Sequence, residues 1–377
     1  MKTIYLDYAA ATPMDRKVVA AMQPYFSQKF HNPSSIYLTG RAAHQALEEA
    51  RAAVAQNLGA KPADIIFTAG ATEANNLAIQ GVMKNFHGGE VLVSAIEHES
   101  VLAPAALFSC RTVAVNSKGR VDLRKLEAMI SHKTVLVSIG LVNNEIGTVQ
   151  PLSDISKILN KLRKLRGPKG RPLYLHSDCA QAPNYFDMHV ARLGVDLLTV
   201  NGGKIYGPKQ SGVLYVRAGV QLQPLILGGG QESNLRSGTE NVAGSVGLAA
   251  ALSLAQKKRS DEAQRVAKLR QQFIAGLEKS IPAAMVNGSA KRSAPHIISV
   301  TFPGVDNERL LMELDERRVQ VATGSACSAS SDKPSHVLAA IGLSDKGAHS
   351  TLRFSFGRTT SEADIAQTLR ILRELTS

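Results

Sequence analysis

The sequence predicts an α/β protein with a mainly parallel sheet and a smaller α+β domain attached to it. Three observations carry this expectation. Short apolar runs alternate with helical patterns through the middle of the chain, the alternation stops near residue 241, and a different mix of strands and helices begins after Pro282. The runs at 64–68, 90–94, 134–139, 173–177, 195–200 and 211–216 read as strands, with helical stretches such as 72–86 and 153–165 between several of them. Residues 241–279 read as helix without strand candidates. Strands at 297–302 and 351–356 and helices at 307–317 and 361–375 then follow. The expected organisation is a large domain over 15–260 and a small one from 1–14 and 261–377, the latter carrying a loop at about 322–336.

Composition narrows the class. A hydrophobic fraction of 44% and a charged fraction of 20% suit a globular enzyme. No apolar run approaches a membrane span, and the N-terminus, with Asp7 and Asp15, does not read as a signal peptide. Cysteines stand at 110, 179 and 327, without the short paired spacing of a disulfide framework or zinc site. The expected location is the cytoplasm. The net charge is +13, and 157–171 holds seven positive residues in fifteen. That stretch reads as a solvated helix face with its loop, the alternative being a site for an acidic protein or RNA. It lacks the aromatic interleaving of nucleic-acid recognition.

In open α/β sheets ligands sit beyond the carboxyl ends of the strands, so the polar residues after each run are the candidates. Gly70-Ala71-Thr72 opens a helix, where free N–H groups and a hydroxyl suit phosphate; a plain helix cap is the simpler reading. Asp178 and Gln181 follow the run at 173–177, and an acid there can cap a helix or hold a pyridine nitrogen protonated. Asn201-Gly-Gly203-Lys204 ends the next run. A lysine emerging from a buried strand is suited by desolvation to form a Schiff base. His98 could stack on a flat cofactor, although a capping or packed histidine is commoner, and Asn143-Asn144 offers amides in a turn. Cys327 sits among serines, glycine and alanine, the setting of an accessible nucleophilic thiol, whereas Cys110 and Cys179 read as structural.

Together these segments resemble the cysteine desulfurases, a branch of the fold-type I pyridoxal phosphate (PLP) enzymes in the class V aminotransferase superfamily. The resemblance runs from Tyr5-Leu-Asp7-Tyr-Ala-Ala-Ala-Thr-Pro to Arg353-Phe-Ser-Phe-Gly-Arg-Thr-Thr. Between them lie His31-Asn-Pro-Ser-Ser, Gly70-Ala-Thr-Glu, Asn143-Asn-Glu-Ile-Gly, His176-Ser-Asp-Cys-Ala-Gln, Gly203-Lys-Ile-Tyr-Gly-Pro-Lys, Gly228-Gly-Gly-Gln-Glu, Arg236-Ser-Gly-Thr and Ser325-Ala-Cys-Ser. The resemblance implies a seven-stranded sheet flanked by helices. It implies PLP as a Schiff base on Lys204, with Asp178 at the pyridinium nitrogen, Gln181 and Asn144 at the ring oxygen and His98 on the ring face. Ala71, Thr72, Asn201 and Gly203 would serve the phosphate, and Thr239 would reach the phosphate of a partner subunit, hence a homodimer. Asn32 and Arg353 would hold the substrate carboxylate. Catalysis would fall to Lys204, His98 and Cys327: L-cysteine would yield L-alanine and a persulfide on Cys327. The persulfide sulfur would pass to an acceptor, an iron–sulfur scaffold or a tRNA-thiolation enzyme.

No intrinsic metal is expected, and transient ligation of an iron–sulfur cluster through Cys327 stays open. Selenocysteine lyase, another PLP activity and a non-enzymatic sulfur-assembly scaffold are the alternatives. One departure stands out. The family's Ser-x-His-Lys reads Asn201-Gly202-Gly203-Lys204 here, so a changed phosphate site is expected. A second is Tyr37, where histidine is common.

Overall fold

The structure, a computed structural model, describes residues 2–324 and 334–376. Its strands are β1 Ile4–Tyr5, β2 Ile65–Thr68, β3 Glu90–Ser94, β4 Ser109–Val113, β5 Thr134–Ser138, β6 Tyr174–Asp178, β7 Leu197–Asn201, β8 Gly212–Val216, β9 Met285–Asn287, β10 Ile297–Thr301, β11 Val319–Gln320 and β12 Thr351–Ser355. Seven of them form one sheet in the order β2-β8-β7-β6-β5-β3-β4. Only β8 runs against the rest, because it returns directly from β7. β7, β6, β5, β3 and β4 pair in parallel. β3 and β5, paired in parallel on both sides, are buried along their whole length, as parallel strands covered by helices on both faces require. β4 is the strand of this sheet that periodicity misses: Ser-Cys-Arg-Thr-Val is mostly exposed and carries no apolar run. It pairs on one side only, at the sheet edge.

The largest core lies on this sheet, and a second lies beside it. The helix Val242–Ser280, 39 residues long, joins them. Its first half buries Leu248, Ala251 and Leu252 against Val18, Met22 and Val54. Its second half buries Val266, Leu269, Phe273 and Leu277 against Phe302, Phe354 and Phe356, together with Ile4 and Leu6. Phe273 meets Phe354 with ring centroids 4.9 Å apart. The chain's first residues therefore pack with its last hundred, and β1 pairs in parallel with β11. β10 lies between β9 and β12 in the second core's sheet. Among the described residues no helix is long and apolar enough to cross a membrane.

Much of the basic stretch at 157–171 is occupied internally. Arg163 bonds Asp196 and the Leu173 carbonyl, and Arg166 bonds the Ser131 and Thr134 carbonyls. Lys157 pairs with Asp154 and Lys161 with Glu127. Asp196 is fully buried and accepts the Leu175 N–H at 2.7 Å. Arg217 stands 2.8 Å from its other oxygen, as an ion pair without hydrogen-bond geometry. We expect Asp196→Ala to cost about 3 kcal/mol, at the low end for breaking a buried pair because both arginines keep some water; urea unfolding of the two proteins checks it.

Candidate active site

β2, β3, β5, β6 and β7 all end at the same edge of the sheet. The turns after them enclose a cavity of about 310 Å³ lined by Thr72, His98, Asn144, Asp178, Lys204 and Arg353, among others. This is the edge where open α/β sheets carry ligands.

Lys204 closes a single 3₁₀ turn, Gly202–Lys204, directly after β7. Its Nζ donates to the Ala10 carbonyl at 2.5 Å. The Asn201 side chain accepts the Gly203 N–H at 3.0 Å, so its oxygen is used in the turn while its amide nitrogen remains a donor in a residue that lines the cavity. The two glycines differ. A Cβ at Gly202 would lie 2.1 Å from Ser211 Oγ and 2.8 Å from the Pro208 carbonyl, whereas one at Gly203 would come no closer than 3.5 Å to any neighbour. Only Gly202 is forced by packing.

Asp178 ends β6. Its Oδ1 accepts the Ala180 N–H at 2.9 Å and its Oδ2 accepts Asn75 Nδ2 at 2.7 Å. Asn75, fully buried, also donates to Ser100 Oγ at 2.8 Å. His176, two residues before Asp178, is buried between Ser138 Oγ and Thr199 Oγ1. Burial pushes its pKa down to about 4 against the pull of Asp178, so the ring is neutral. His98 is a helix cap that also faces the cavity. Its Nδ1 accepts the Ser100 N–H at 3.0 Å, capping the helix Glu99–Ala105, and its side chain lines the cavity. Ala71 and Thr72 begin the helix Ala71–Met83 and line the cavity at its N-terminal end, where unpaired N–H groups gather.

Gln181 lines the cavity with its amide engaged at both ends, Nε2 to the Ala9 carbonyl at 2.9 Å and Oε1 against His296 Nε2 at 3.3 Å. Arg353, on β12, is 2% exposed. It donates to the Asn144 carbonyl at 3.1 Å and to Asp7 at 2.6 Å.

Several expected residues lie elsewhere. Asn32 is exposed, its oxygen taken by the Ser34 N–H. Gly203 supports the Lys204 turn without lining the cavity. Thr239 lines a separate depression of about 260 Å³, with Arg236 and Asn241, on the other side of the Thr68–Thr72 turn. Cys327 lies outside the described residues. The residues that flank that gap both stand at Glu145: Ser335 Oγ donates to Glu145 Oε2 at 2.5 Å, and a Cβ at Gly324 would lie 3.3 Å from the same oxygen.

Sequence reasoning passed over Glu97, Asn75, Gly140 and Asp7. Glu97 lines the cavity and is buried beside Asp178. Both of its oxygens meet the Gly140 N–H, at 2.9 and 3.0 Å. Burial and the nearby Asp178 charge push its pKa up to about 8, against the hydrogen bonds from Gly140 and Ser94. Signals existed for two of these residues. Glu97 directly precedes His98 at a strand end, and Asn75 falls one turn after Thr72 on the same helix face.

Fold and site together define an α/β enzyme whose cavity centres on one lysine, one anchored acid and one buried arginine. The aminotransferase class-V family model matches residues 4–368. Cysteine desulfurase IscS of Dictyoglomus turgidum is 42% identical over 99% of this chain and 94% of its own length. Human cysteine desulfurase is 38% identical over 98% of this chain and 80% of its own. A solved NifS-like protein superposes with a TM-score of 0.91 at 33% identity, over 99% of both chains. The chain belongs to the class-V aminotransferase family, in its cysteine desulfurase branch.

Two outcomes follow from the geometry. Gly202→Ala should be destabilised by about 1–3 kcal/mol through overpacking, while Gly203→Ala should stay within about 0.5 kcal/mol of the parent, as thermal unfolding will report. Glu97 should give a pH signature. Its pKa rises on folding from 4.5 to about 8, so the folded chain keeps a proton that the unfolded chain releases in that window. Its contribution to stability is full below pH 4.5 and falls as pH rises to about 8, by up to ~1.4 kcal/mol per pH unit. Glu97→Gln, fixed in the neutral form, should therefore gain stability relative to the parent as pH rises through this range.

Proposed function

We propose that this protein removes sulfur from L-cysteine, using PLP held in the Lys204 cavity and Cys327 as the receiving thiol. The observation that carries this reading is the convergence of Lys204, Asp178, His98 and Arg353 on one cavity, in a chain of the cysteine desulfurase branch. The donor set suits a flat, phosphorylated pyridine. Asp178, fixed by Asn75 and Ala180, would face the ring nitrogen, and His98 would lie on the ring. Asn144 and Gln181 would approach the ring oxygen. Ala71, Thr72 and Asn201 would take the phosphate, with Gly203 shaping the turn. Bound there, PLP supplies an electron sink for charge developing at the substrate Cα.

The chain's own groups divide the remaining work. Arg353 pairs with the substrate carboxylate through its planar fork. Lys204, beside the Ala10 carbonyl, removes the Cα proton, and His98 exchanges a proton with the substrate thiol. The Cys327 thiolate attacks the substrate sulfur. The cysteine C–S bond breaks, an S–S bond forms on Cys327, the carbon takes up a proton, and L-alanine leaves. Glu145, which accepts the Ser335 hydroxyl, ties one flank of the Cys327 segment to the turn of Asn144.

Several finer features belong to the same reading. The large domain spans 15–260, the small one 1–14 and 261–377, and the protein works in the cytoplasm as a homodimer. Thr239 serves the partner's phosphate; its place outside the Lys204 cavity supports this, as do the exposed Phe26, Phe30, Ile36, Leu38 and Leu227. The persulfide sulfur goes to an iron–sulfur scaffold or a tRNA-thiolation enzyme. The test is incubation with sulfur-labelled L-cysteine. Alanine release and label on Cys327, located by mass spectrometry, are expected, and Cys327→Ala should abolish both. Alanine release at the parent rate from Cys327→Ala would overturn the thiol's role.

A further inference from the structure

Arg353 is occupied before any substrate arrives. Its Nη2 donates to Asp7 Oδ1 at 2.6 Å, and its side chain is 3% exposed against 17% for Asp7. Nη1 donates to the Asn144 carbonyl, and no partner for Nε is found among the described residues. Asp7 is also the only carboxylate within ion-pair distance of Arg353 among the described residues. Other charge nearby is muted. His296 is pushed down to about 3 by burial and by the Arg353 charge itself, so it stays neutral.

Asp7 is held in place firmly. Its carbonyl accepts the N–H groups of Ala10 and Ala11 and the Tyr5 hydroxyl. It bridges β12 at Ser355, and Ser355 Oγ receives the Ala9 N–H. Three residues further on, the Ala10 carbonyl takes the Lys204 Nζ. One short segment therefore touches both cations assigned to the substrate and the cofactor.

We propose that Asp7 tunes the affinity of the substrate site: it is a resident carboxylate that competes with the α-carboxylate of the amino-acid substrate for Arg353. The physical argument is direct. A buried guanidinium without a counter-ion is costly, and Asp7 supplies that counter-ion while the cavity is empty. The arriving carboxylate must share or replace this partner, so it gains less than it would from an unpaired arginine. The arrangement weakens retention of any α-amino acid, including the L-alanine product, and so favours turnover over tight binding. It rests on the reading of Arg353 as the substrate-carboxylate group.

Asp7→Asn removes the charge and leaves an oxygen for Nη2. In the holoenzyme this variant should bind L-alanine several-fold more tightly than the parent, by titration calorimetry, and lower KM for L-cysteine more than it changes kcat. Cysteamine, which lacks the carboxylate, should bind both proteins alike. Asp7→Glu, which keeps the charge, should bind L-alanine as the parent does, and Asp7→Ser provides the same comparison if the asparagine variant does not fold. Unchanged or weaker L-alanine binding in the neutral variants would overturn the competition, as would an equal gain for cysteamine. Undiminished L-alanine binding by Arg353→Gln would instead overturn the assignment of Arg353 itself.

Discussion

The joint between Thr12 and the Lys204 turn is the constraint on which the rest of the site depends. Thr12 Oγ1 donates to the Gly203 carbonyl at 3.0 Å and accepts the Tyr206 N–H at 2.8 Å. Its N–H reaches the Gly203 carbonyl, and its own carbonyl takes Lys209 Nζ at 2.9 Å. These bonds fasten the first dozen residues, whose other end is packed among the phenylalanines of the second core, to the end of β7 in the first. Lys204 and Arg353 are thereby held at one cavity although they belong to different cores. Backbone groups satisfied in this way leave little freedom for the turn to drift.

Electrostatics at the cavity floor work by exclusion. His176 and His296 are buried and neutral, and Glu97 keeps its proton near neutral pH, so few buried groups there carry charge. Asp178 stands out as the acid with two fixed donors, one from the backbone and one from Asn75. Partly buried, such a carboxylate interacts with a facing cation more strongly than it would in open water. The buried Cys179, its thiol pushed up to about 12 by burial, is chemically silent by the same physics.

The high positive charge finds a partly internal explanation. Arg163 and Arg166, at the centre of the basic stretch, bind backbone carbonyls and Asp196 and so hold the helix Leu152–Arg166 to the sheet. An arginine fork can bridge several acceptors at once, and a sequence count of charges cannot distinguish that use from a docking face.

The alternation of apolar runs and helical patterns was enough for the α/β class and for most strands, because buried parallel strands must be apolar throughout. Ala71, Thr72, His98, Asn144, Asp178, Gln181 and Lys204 were legible for a related reason: each ends or follows a strand, and strand ends converge in an open sheet. β4 was not legible, since an exposed edge strand needs no apolar run. Glu97 and Asn75 could have been reached by spacing alone. Asp7 could not. Its meeting with Arg353 spans 346 residues and arises only when the chain's two ends pack into one core. Local pattern thus determined which groups face the cavity from the sheet. Long-range packing, which sequence periodicity does not encode, decided which groups hold them and how the arginine is paired.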